Sequence, residues 1–362
     1  MFAPDRELQI GTRKVGQSAP VLFMADIAAN HDGDLERAKD LIGLAAAAGA
    51  DVAKFQHFKA DTIVSDYGFK SLGAQRSHQS KWPKAVSEVY RDAELNAEWS
   101  ATLKQSCDQA GIIFMSSPYD FELVDRIDPY VPAHKIGSGD ISWIEIVEYI
   151  AAKQKPCLLA SGASSLDDVD RAVRAILRIN PRVALMQCNT NYTASLDNFR
   201  HIQLNVLKTY RTLYPDMVLG LSDHTPGHAT VLGAIALEAR IIEKHFTDDT
   251  SRSGPDHAFS MDPKGWREMV ERSRELELAL GCGIKRVEEN EQETAVLQRR
   301  GIRVVADLAA GTVLTREHLL PLRPCPLHAI PPYLIPDVVG RSLNRDIQAG
   351  EHLRWNDISW GS

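Results

Sequence analysis

Short apolar runs alternate with segments of helical period from residue 21 to residue 280. In one helical segment Leu35, Ala38, Leu41, Ile42 and Ala45 recur at the spacing that places them on one face of a helix. Eight runs have the length and composition of buried strands: 21–27, 51–55, 112–115, 133–136, 157–160, 183–188, 217–221 and 240–246. Eight strand–helix units predict an α/β fold, a (β/α)₈ TIM barrel, with an open doubly wound sheet as the alternative.

The pattern changes at both ends of this region. Residues 8–19, with turn residues Gly11 and Gly16, are typical of a short hairpin that closes the barrel floor. Residues 281–297 are Glu-rich and indicate a linker or linking helix, after which only short β-like runs follow. The sequence therefore predicts three segments: a barrel over 1–280, a linker over 281–297 and a small β-rich domain over 298–362.

Two phrases in the last segment resemble each other. Asp307-Leu308-Ala309-Ala310-Gly311 is echoed by Asp346-Ile347-Gln348-Ala349-Gly350, and each precedes a short apolar stretch and a helix-like start. Such an internal echo is typical of a small, compact β-rich unit.

Composition excludes several classes of protein. Hydrophobic residues make up 44% and charged residues 25% of the 362 positions, which is ordinary for a globular chain and excludes disorder and collagen. No apolar run approaches the ~20 residues that a membrane helix needs, so we expect no membrane partner. Five scattered cysteines favour reduced thiols and a cytoplasmic location.

The charge is mildly negative and unevenly distributed. Lysine and arginine number 41 and the acidic residues 48, a net charge of −7, so we expect no nucleic-acid partner. Residues 298–362 contain eight arginines, no lysine and six carboxylates, or +2, which leaves −9 for residues 1–297.

Polar residues concentrate where the predicted strands end and the helices begin. In barrels of this kind the catalytic groups lie at that end of the strands. The residues in question are Asp26, Asn30, His31, Lys54, Gln56, His57, Lys135, Ser138, Asp140, Ser161, Asn189, Thr190, Asn191, Tyr192, Ser222, Asp223, His224, Glu243, Lys244, His245, Asp256 and His257.

Two histidines in this set suit a metal. His224 and His245 end consecutive strands, and adjacent barrel strands lie ~5 Å apart, so both imidazoles can bind one divalent ion. Two protein ligands would leave coordination positions open for substrate. The alternative is a pair of unrelated polar histidines.

Two lysines indicate an anion site. Lys54 and Lys135 are each flanked by apolar residues on short strands, and Ser138, Ser161 and Ser222 stand at strand ends nearby. Together they predict a pocket for a phosphate or carboxylate. The alternatives are solvated edge positions or a Schiff-base lysine.

Two other site types are excluded. Ser222-Asp223-His224 is not a hydrolytic triad, because adjacent strand residues face opposite ways and no Gly-x-Ser-x-Gly is present. Dinucleotide and phosphate-loop glycine motifs are also absent from the sequence.

Six motifs in order resemble the sialic acid synthases, the phosphoenolpyruvate-condensing nonulosonate synthases that include the spore-coat polysaccharide proteins. The C-terminal segment resembles the antifreeze-like (SAF) domain of that family. The motifs are Asn30-His31-Asp32-Gly33, Lys54-Phe55-Gln56, Lys135-Ile136-Gly137-Ser138-Gly139, Gly220-Leu221-Ser222-Asp223-His224, Glu243-Lys244-His245-Phe246-Thr247 and Gly254-Pro255-Asp256-His257-Ala258-Phe259-Ser260.

The resemblance implies a reaction and a set of residue roles. An enzyme of this family joins phosphoenolpyruvate to the open-chain aldehyde of an N-acylated hexose, with Mn²⁺ or Mg²⁺ as cofactor. His224 and His245 would bind the metal. The substrate-binding residues would be Lys54, Gln56, Lys135, Ser138, Ser161, Thr190 and Ser222. The residues at the sugar or the reacting centre would be Asp26, Asp140, Tyr192 and Asp256.

The resemblance also implies an assembly. Arg323, in Leu322-Arg323-Pro324, matches the arginine that reaches a partner subunit's barrel and binds the sugar's N-acyl group. The implied assembly is therefore a domain-swapped homodimer.

The sequence departs from the family pattern mainly at sugar-facing positions. Asp26 and Asp140 stand where the family usually has Glu, and Thr190 where it has Asn or Ser. The acceptor sugar is therefore not assigned. Two further hypotheses remain open: a Schiff-base pyruvate aldolase on the same barrel, and a non-catalytic sugar-binding relative.

Overall fold

The computed structural model describes residues 1–72, 82 and 84–359. The chain forms two compact units, Met1–Gly281 and Cys282–Ser362. Within the described residues, no helix combines the length and the apolar character needed to cross a membrane.

The first unit is the predicted barrel. Among the described residues, eight parallel strands close in the order β10-β3-β4-β5-β6-β7-β8-β9, so the open sheet is excluded. The strands of this unit are β1 (Glu7–Ile10), β2 (Arg13–Gly16), β3 (Leu22–Asp26), β4 (Val52–His57), β5 (Ile113–Pro118), β6 (His134–Ile136), β7 (Cys157–Ala160), β8 (Val183–Cys188), β9 (Val218–Asp223) and β10 (Ala239–His245).

Helices follow the barrel strands in turn. The segment between β4 and β5 is the longest of these connections, and its described residues form three extra short helices before the barrel helix α5. The helices of this unit are α1 (Leu35–Ala47), α2 (Ala60–Ile63), α3 (Asp66–Ser71), α4 (Val86–Asp92), α5 (Ser100–Ala110), α6 (Phe121–Ile127), α7 (Ile144–Ala152), α8 (Leu166–Leu177), α9 (Val206–Leu213), α10 (Ala229–Ala236) and α11 (Pro263–Leu280).

Strand alternation divides the core of the barrel into two layers. Leu22 and Met24 pack inside the barrel, whereas Phe23 and Ala25 pack between the strands and the helices. Side chains alternate across a strand, so Asp26, two residues after Met24, also points inward and lies in the barrel mouth.

The predicted N-terminal hairpin is confirmed. β1 and β2 pair antiparallel, and Gly11 takes the left-handed backbone at the turn with φ of 56°. Gly16 ends β2 and is not part of that turn. Leu8, Ile10 and Val15 are buried with the inward residues of the barrel strands, so the hairpin closes the floor of the barrel.

The second unit is small and contains antiparallel strands. Its elements are β11 (Gly301–Val304), β12 (Leu319–Leu322), α12 (Gln292–Gln298) and α13 (Ile335–Val338). The two echoing phrases pair with each other, since Leu308 and Ile347 exchange backbone hydrogen bonds of 2.9 Å in both directions. Asp307 and Asp346 repeat the symmetry, because each carboxylate accepts a backbone N–H from the other phrase.

One buried histidine joins the barrel to its helices. His57, at the end of β4, has Nδ1 2.6 Å from Ser116 Oγ and Nε2 2.9 Å from Ser100 Oγ. The Ser116 hydroxyl also donates to the Phe55 carbonyl at 3.0 Å, and the Ser100 hydroxyl to the Ala97 carbonyl at 2.8 Å. Burial lowers the pKa of His57 from 6.5 to about 4.

We expect His57 to make the fold acid-sensitive. Below pH 6.5 the unfolded chain binds a proton that the folded ring does not bind until about pH 4, so stability is lost as pH falls through this window. Between pH 7 and pH 5 this one group lowers the free energy of unfolding by about 2 kcal/mol. Urea unfolding of His57→Gln and of the unmodified chain at both pH values measures it. An equal pH dependence in both proteins would contradict the assignment.

Candidate active site

The polar residues of the barrel mouth lie in neighbouring register positions. His245 is the register partner of Asp26, and Asp26 is the partner of Lys54. On the other side of β10, Ser222 of β9 is the partner of both Cys188 and Glu243. The predicted strand-end residues therefore meet at the same end of the barrel.

Lys54 is buried against Asp26. Its Nζ lies 2.7 Å from Asp26 Oδ2, to which Gln56 also donates at 3.0 Å, and the Ala28 N–H donates to the other oxygen. Burial alone would lower the pKa of Lys54, but the charges of Asp26 and Glu243 outweigh it and raise the pKa. The ammonium is therefore charged inside the barrel.

Lys135 forms a second buried ion pair with Glu243. Lys135 Nζ lies 2.7 Å from Glu243 Oε1, and Ser222 Oγ donates to the same oxygen at 2.8 Å. The other oxygen, Oε2, is buried without a hydrogen-bond partner among the described residues. Glu243 was listed among the polar strand-end residues but was given no role. It lies two residues before His245, so both side chains share one face of β10.

The two predicted metal ligands lie side by side. The ring centroids of His224 and His245 are 5.3 Å apart, and Tyr192 packs edge-on against His224 at 4.6 Å. Phe259, which the sequence analysis also missed, packs against His224, His245 and Tyr192.

The hydrogen bonds of these histidines suit a metal. His224 Nδ1 lies 3.0 Å from the Asn189 carbonyl and donates to it, so Nε2 carries the free lone pair. His245 Nδ1 is buried without a hydrogen-bond partner among the described residues, and both Asp26 and Asp256 lie within 4 Å of the ring. In the described part of the chain, no group of three or more His, Cys, Asp or Glu side chains is arranged to hold a metal ion.

Gly162 makes room for a group of hydroxyls. A Cβ at this position would lie 2.3 Å from Thr190 Oγ1, 2.8 Å from Ser138 Oγ and 3.0 Å from Cys188 Sγ. The Gly162 N–H donates to Ser138 Oγ at 3.0 Å, whereas Thr190 Oγ1 is buried without a partner among the described residues. The glycine thus lets the chain come close to Ser138 and Thr190.

Ser161 does not face this cluster, which corrects its predicted role. Its hydroxyl donates to the Met186 carbonyl at 3.0 Å and accepts from Tyr210 of α9 at 2.9 Å. Leu158 packs inside the barrel, and the alternation from Leu158 places Ser161 on the outer face of its strand. Ser161 therefore anchors a helix and leaves the pocket to Ser138 and Thr190.

Two further carboxyl groups face the mouth with altered proton affinity. Burial raises the pKa of Asp140 to about 6. Burial also raises the pKa of Asp256 to about 7; the Ala29 N–H bond opposes the rise and the charge of Asp26 adds to it. Each can therefore exchange a proton near neutral pH.

A hydrogen-bonded network holds the loop of Asp256. His257 is buried with Nδ1 2.7 Å from Thr247 Oγ1 and Nε2 2.9 Å from Asp32 Oδ1. Arg252 also donates to Asp32. These contacts fasten the loop after β10 to the turn after β3.

Above these groups opens a pocket of about 330 Å³. Its polar part includes Gln56, Ser138, Asp140, Tyr192, His245 and Asp256. Its other part is aromatic and apolar and comes largely from the β4–β5 connection, which the sequence analysis did not assign to the site. Tyr119 lies at the boundary between the polar and the apolar part of the pocket. Its hydroxyl approaches Gly137 closely, since a Cβ at that position would lie 3.1 Å from it.

Lys244 belongs to a different environment. Lys244 lies between Glu243 and His245 on β10, so its side chain points outward, away from theirs. Its Nζ lies 2.5 Å from Asp223 Oδ2 and 2.5 Å from the Thr225 carbonyl. Asp223 also accepts bonds from Thr225 and Thr230. The outward direction of Asp223 agrees with the exclusion of a Ser222-Asp223-His224 triad.

Arg323 lies in the second unit. It follows β12 directly. Two residues further on, the Cys325 N–H donates a hydrogen bond to the Val296 carbonyl of α12. The structure leaves its predicted role untested.

A closed parallel barrel with a polar strand-end site and a separate β-rich unit defines a TIM-barrel enzyme with a C-terminal accessory domain. Residues 41–285 match the NeuB family model and residues 299–359 match the SAF domain. The chain belongs to the NeuB family, and the predicted resemblance is confirmed.

Relatives that match most of the chain include synthases. The N,N'-diacetyllegionaminic acid synthase of Legionella pneumophila is 33% identical over 96% of this chain and 97% of its own length. Human N-acetylneuraminate-9-phosphate synthase is 32% identical over 85% and 84%. The crystal structure of the Bacillus subtilis spore coat polysaccharide biosynthesis protein SpsE is similar with a TM-score of 0.64 and 29% identity, covering 98% of this chain and all of that one.

Proposed function

We propose that this enzyme condenses phosphoenolpyruvate with the open-chain aldehyde of an N-acylated hexose, giving a nonulosonic acid and phosphate for surface polysaccharide synthesis. The observation that carries the proposal is the set of buried polar atoms left without partners around one site. Among the described residues these include Thr190 Oγ1, Glu243 Oε2 and His245 Nδ1. Buried polar atoms are normally paired, so orphaned atoms around one site indicate a ligand that supplies the missing bonds.

The anionic end of phosphoenolpyruvate suits the cationic part of the mouth. Each ammonium has three donors and uses one on its carboxylate partner, so Lys54 and Lys135 keep protons for a phosphate or carboxylate. Ser138 and Thr190 add hydroxyl donors beside Gly162. In a buried site these cations offset the substrate's charge, which the −7 net charge of the chain would otherwise repel.

A divalent metal, Mn²⁺ or Mg²⁺, fits the two histidines. His224 has its Nε2 lone pair free, and His245 has a buried unpaired nitrogen. When bound, such an ion acts as a Lewis acid that withdraws electrons from the aldehyde carbon.

The side chains of the mouth support the remaining steps. C3 of phosphoenolpyruvate attacks the aldehyde carbon, water adds at C2 and phosphate leaves. Asp26, fixed by Lys54 and Gln56, is placed to orient the attacking water. Asp256 and Asp140, whose pKa values burial raises to about 7 and about 6, are suited to give or take protons at the sugar oxygens. Tyr192 packs on both histidines and orients them.

The assembly and location are part of the proposal. A domain-swapped homodimer would bring Arg323 of one protomer to the acyl group bound by the other, which sedimentation of the purified chain tests. The five cysteines are all free, and free thiols are typical of the reducing cytoplasm.

Phosphate release tests the proposed reaction. The purified chain is incubated with phosphoenolpyruvate, Mn²⁺ or Mg²⁺ and a panel of N-acyl hexoses, and we expect metal-dependent phosphate release with at least one sugar. Borohydride in the presence of pyruvate should leave Lys54 and Lys135 unmodified. A trapped adduct on either lysine would favour the aldolase, and the absence of phosphate release with every sugar would favour the non-catalytic relative.

Gly162→Ala is expected to weaken phosphoenolpyruvate binding. The added methyl meets the ends of the Thr190 and Ser138 side chains, which can rotate away, so the fold survives while the hydroxyls leave their positions. We expect the KM for phosphoenolpyruvate to rise about tenfold, the equivalent of one charged hydrogen bond. Gly43→Ala, where a methyl meets nothing within 4 Å, is the matched control. An unchanged KM in Gly162→Ala would remove Thr190 and Ser138 from the proposed site.

A further inference from the structure

We infer that His257 is a positioning residue of the active site: its hydrogen bond to Asp32 holds the carboxyl group of Asp256 in the pocket. The inference rests on the proposed function and adds to it a residue that contacts no substrate itself. It is carried by a buried chain of hydrogen bonds that joins the loop of Asp256 to the turn after β3.

Asp256 stands on a loop that leaves the barrel after β10 and returns to it. The two ends of this loop are joined, because the Thr247 N–H donates to the Met261 carbonyl at 3.0 Å and the Met261 N–H donates to the His245 carbonyl at 2.9 Å. Joined ends fix where the loop begins and ends. The placement of Asp256 between them depends on contacts that the loop makes along its length.

His257 ties the middle of this loop to the turn after β3. The side chain is buried, with Nδ1 2.7 Å from Thr247 Oγ1 and Nε2 2.9 Å from Asp32 Oδ1. The loop also folds back over the ring, since a Cβ at Gly254 would lie 2.6 Å from His257 Cδ2. The imidazole is therefore bonded at both nitrogens and enclosed by its own loop.

The charge of Asp32 determines which nitrogen of His257 carries a proton. Burial would raise the pKa of Asp32, but the hydrogen bonds from His257 and Arg252 outweigh it and lower the pKa. An ionised carboxylate only accepts, so His257 Nε2 is the donor of this bond. A hydrogen bond to an ionised acceptor is stronger than one between neutral groups, so this contact holds the loop firmly.

The order Thr247, His257, Asp32 is also the order of groups in a nucleophilic triad. Thr247 and His257 have no exposed surface, so no substrate reaches the Thr247 hydroxyl. His257 therefore acts through its neighbours in the chain and not on a substrate.

A short turn connects the position of His257 to the pocket. Residues His257–Phe259 form a single 3₁₀ turn, and Asp256 is its N-cap. Asp256 lines the pocket, where its Oδ2 accepts from the Ala29 N–H at 3.2 Å. At the other end of the turn, the ring of Phe259 lies 4.8 Å from that of His245. Fixing His257 thus fixes a carboxyl group at the proposed sugar site and a ring against a proposed metal ligand.

Two substitutions of His257 that keep different hydrogen bonds test the inference. In His257→Gln the amide reaches the place of Nε2 and can still donate to Asp32, whereas the shorter side chain of His257→Asn reaches only the place of Nδ1. We expect kcat for phosphate release to fall about 100-fold in His257→Asn, as for a displacement of about 1 Å at the reacting centre, and less than about tenfold in His257→Gln. Equal kcat values in the two variants would overturn the inference.

The KM for phosphoenolpyruvate distinguishes positioning from general damage to the site. Lys54 and Lys135 stand on β4 and β6, away from the loop of His257. We therefore expect this KM to change by less than about threefold in both variants. A KM that rises as much as kcat falls would show that the whole mouth is disturbed, and would reject the specific role of His257.

His134 provides a matched control. Its Nε2 lies 2.9 Å from Asp128 Oδ1, and its side chain is as buried as that of His257. It stands at the start of β6, and because it alternates with Lys135 it points away from the interior of the barrel. His134→Asn removes the same kind of bond, and we expect its kcat to stay within about threefold of the unmodified enzyme. A His134→Asn enzyme slowed as much as His257→Asn would attribute the effect to lost stability and overturn the inference.

Hydrogen exchange separates this inference from the proposed reaction. The Ala29 N–H is buried and donates to Asp256, so mass spectrometry of the peptide that contains Ala29 reports the placement of Asp256 without turnover. We expect this amide to exchange about tenfold faster in His257→Asn than in His257→Gln. Faster exchange together with no phosphate release from any sugar would reject the reaction and support the positioning role. Equal exchange in the two variants would reject the positioning role even in an active enzyme.

Discussion

Replacing His224 with alanine is expected to lower the rate of phosphate release by about 1000-fold or more, with the protein still folded. The free Nε2 of His224 is one of the two nitrogens available to a metal, and His245 alone would hold an ion weakly. Loss of a single group that stabilises developing charge in a closed site has effects of about this size. The Asn189 carbonyl loses a hydrogen bond but lies where water can replace it, since Asn189 is only half-buried.

The metal assignment has a readout besides turnover. Titration of Mn²⁺ into the purified chain should show one site per protomer, and the same titration of His224→Ala should show affinity reduced by at least tenfold. His201→Ala, an exposed histidine of the same unit, serves as control and should keep both binding and turnover. An active His224→Ala enzyme would remove the metal from the proposed mechanism.

The second large effect is expected when either of two buried, ion-paired lysines is replaced. Lys135 pairs with Glu243 inside the barrel, and Lys244 pairs with Asp223 on the outside, both with almost no exposed surface. Replacement of either by methionine leaves a buried carboxylate without its cation. We expect each change to lower the free energy of unfolding by about 3–5 kcal/mol.

Activity should separate the two lysine variants. Lys135→Met removes a donor to the proposed phosphoenolpyruvate site and is expected to lower phosphate release by about 1000-fold. Lys244→Met leaves the pocket unchanged, so the folded protein should keep its KM for phosphoenolpyruvate within about threefold. Circular dichroism at low temperature establishes the folded fraction before rates are compared. A Lys135→Met enzyme as active as Lys244→Met would place the anion site elsewhere.

Much of the barrel was predictable because its strands are buried on both faces. A central parallel strand appears in sequence as a short apolar run, and eight such runs were found at the right spacing. Boundaries moved by a few residues where polar side chains end the strands: β4 extends to His57 and β9 to Asp223. These polar ends continue the backbone pairing although their side chains interrupt the apolar run.

Strand parity explains where site prediction succeeded and where it failed. Five residues predicted for the mouth lie there in the structure: Asp26, Lys54, Lys135, Ser222 and His245. Ser161 was predicted to bind substrate but faces outward, and Glu243 was listed at a strand end without a role, although both directions follow from alternation along a strand. Leu158 and Ile241 point into the barrel, and counting alternate residues from them gives the directions of Ser161 and Glu243.

The aromatic and apolar part of the pocket could not be predicted from alternation along a strand. Phe58, Tyr90 and Tyr119 are separated by up to 61 residues and come from three different elements or their ends. No periodicity relates them, because the connection between β4 and β5 folds over the mouth by tertiary packing alone.

The sequence by itself determined the barrel, the family and the residue types of the reacting centre. Local alternation and ordered motifs encode these features, and burial of apolar strands enforces them. Only the tertiary structure decided which polar groups pair. It directs Lys135 to Glu243 and Lys244 to Asp223, and within the described part of the chain it leaves Thr190 Oγ1 and His245 Nδ1 without partners. Such pairings depend on closure of the barrel, which brings distant strands within hydrogen-bond distance and excludes the water that would otherwise satisfy each group.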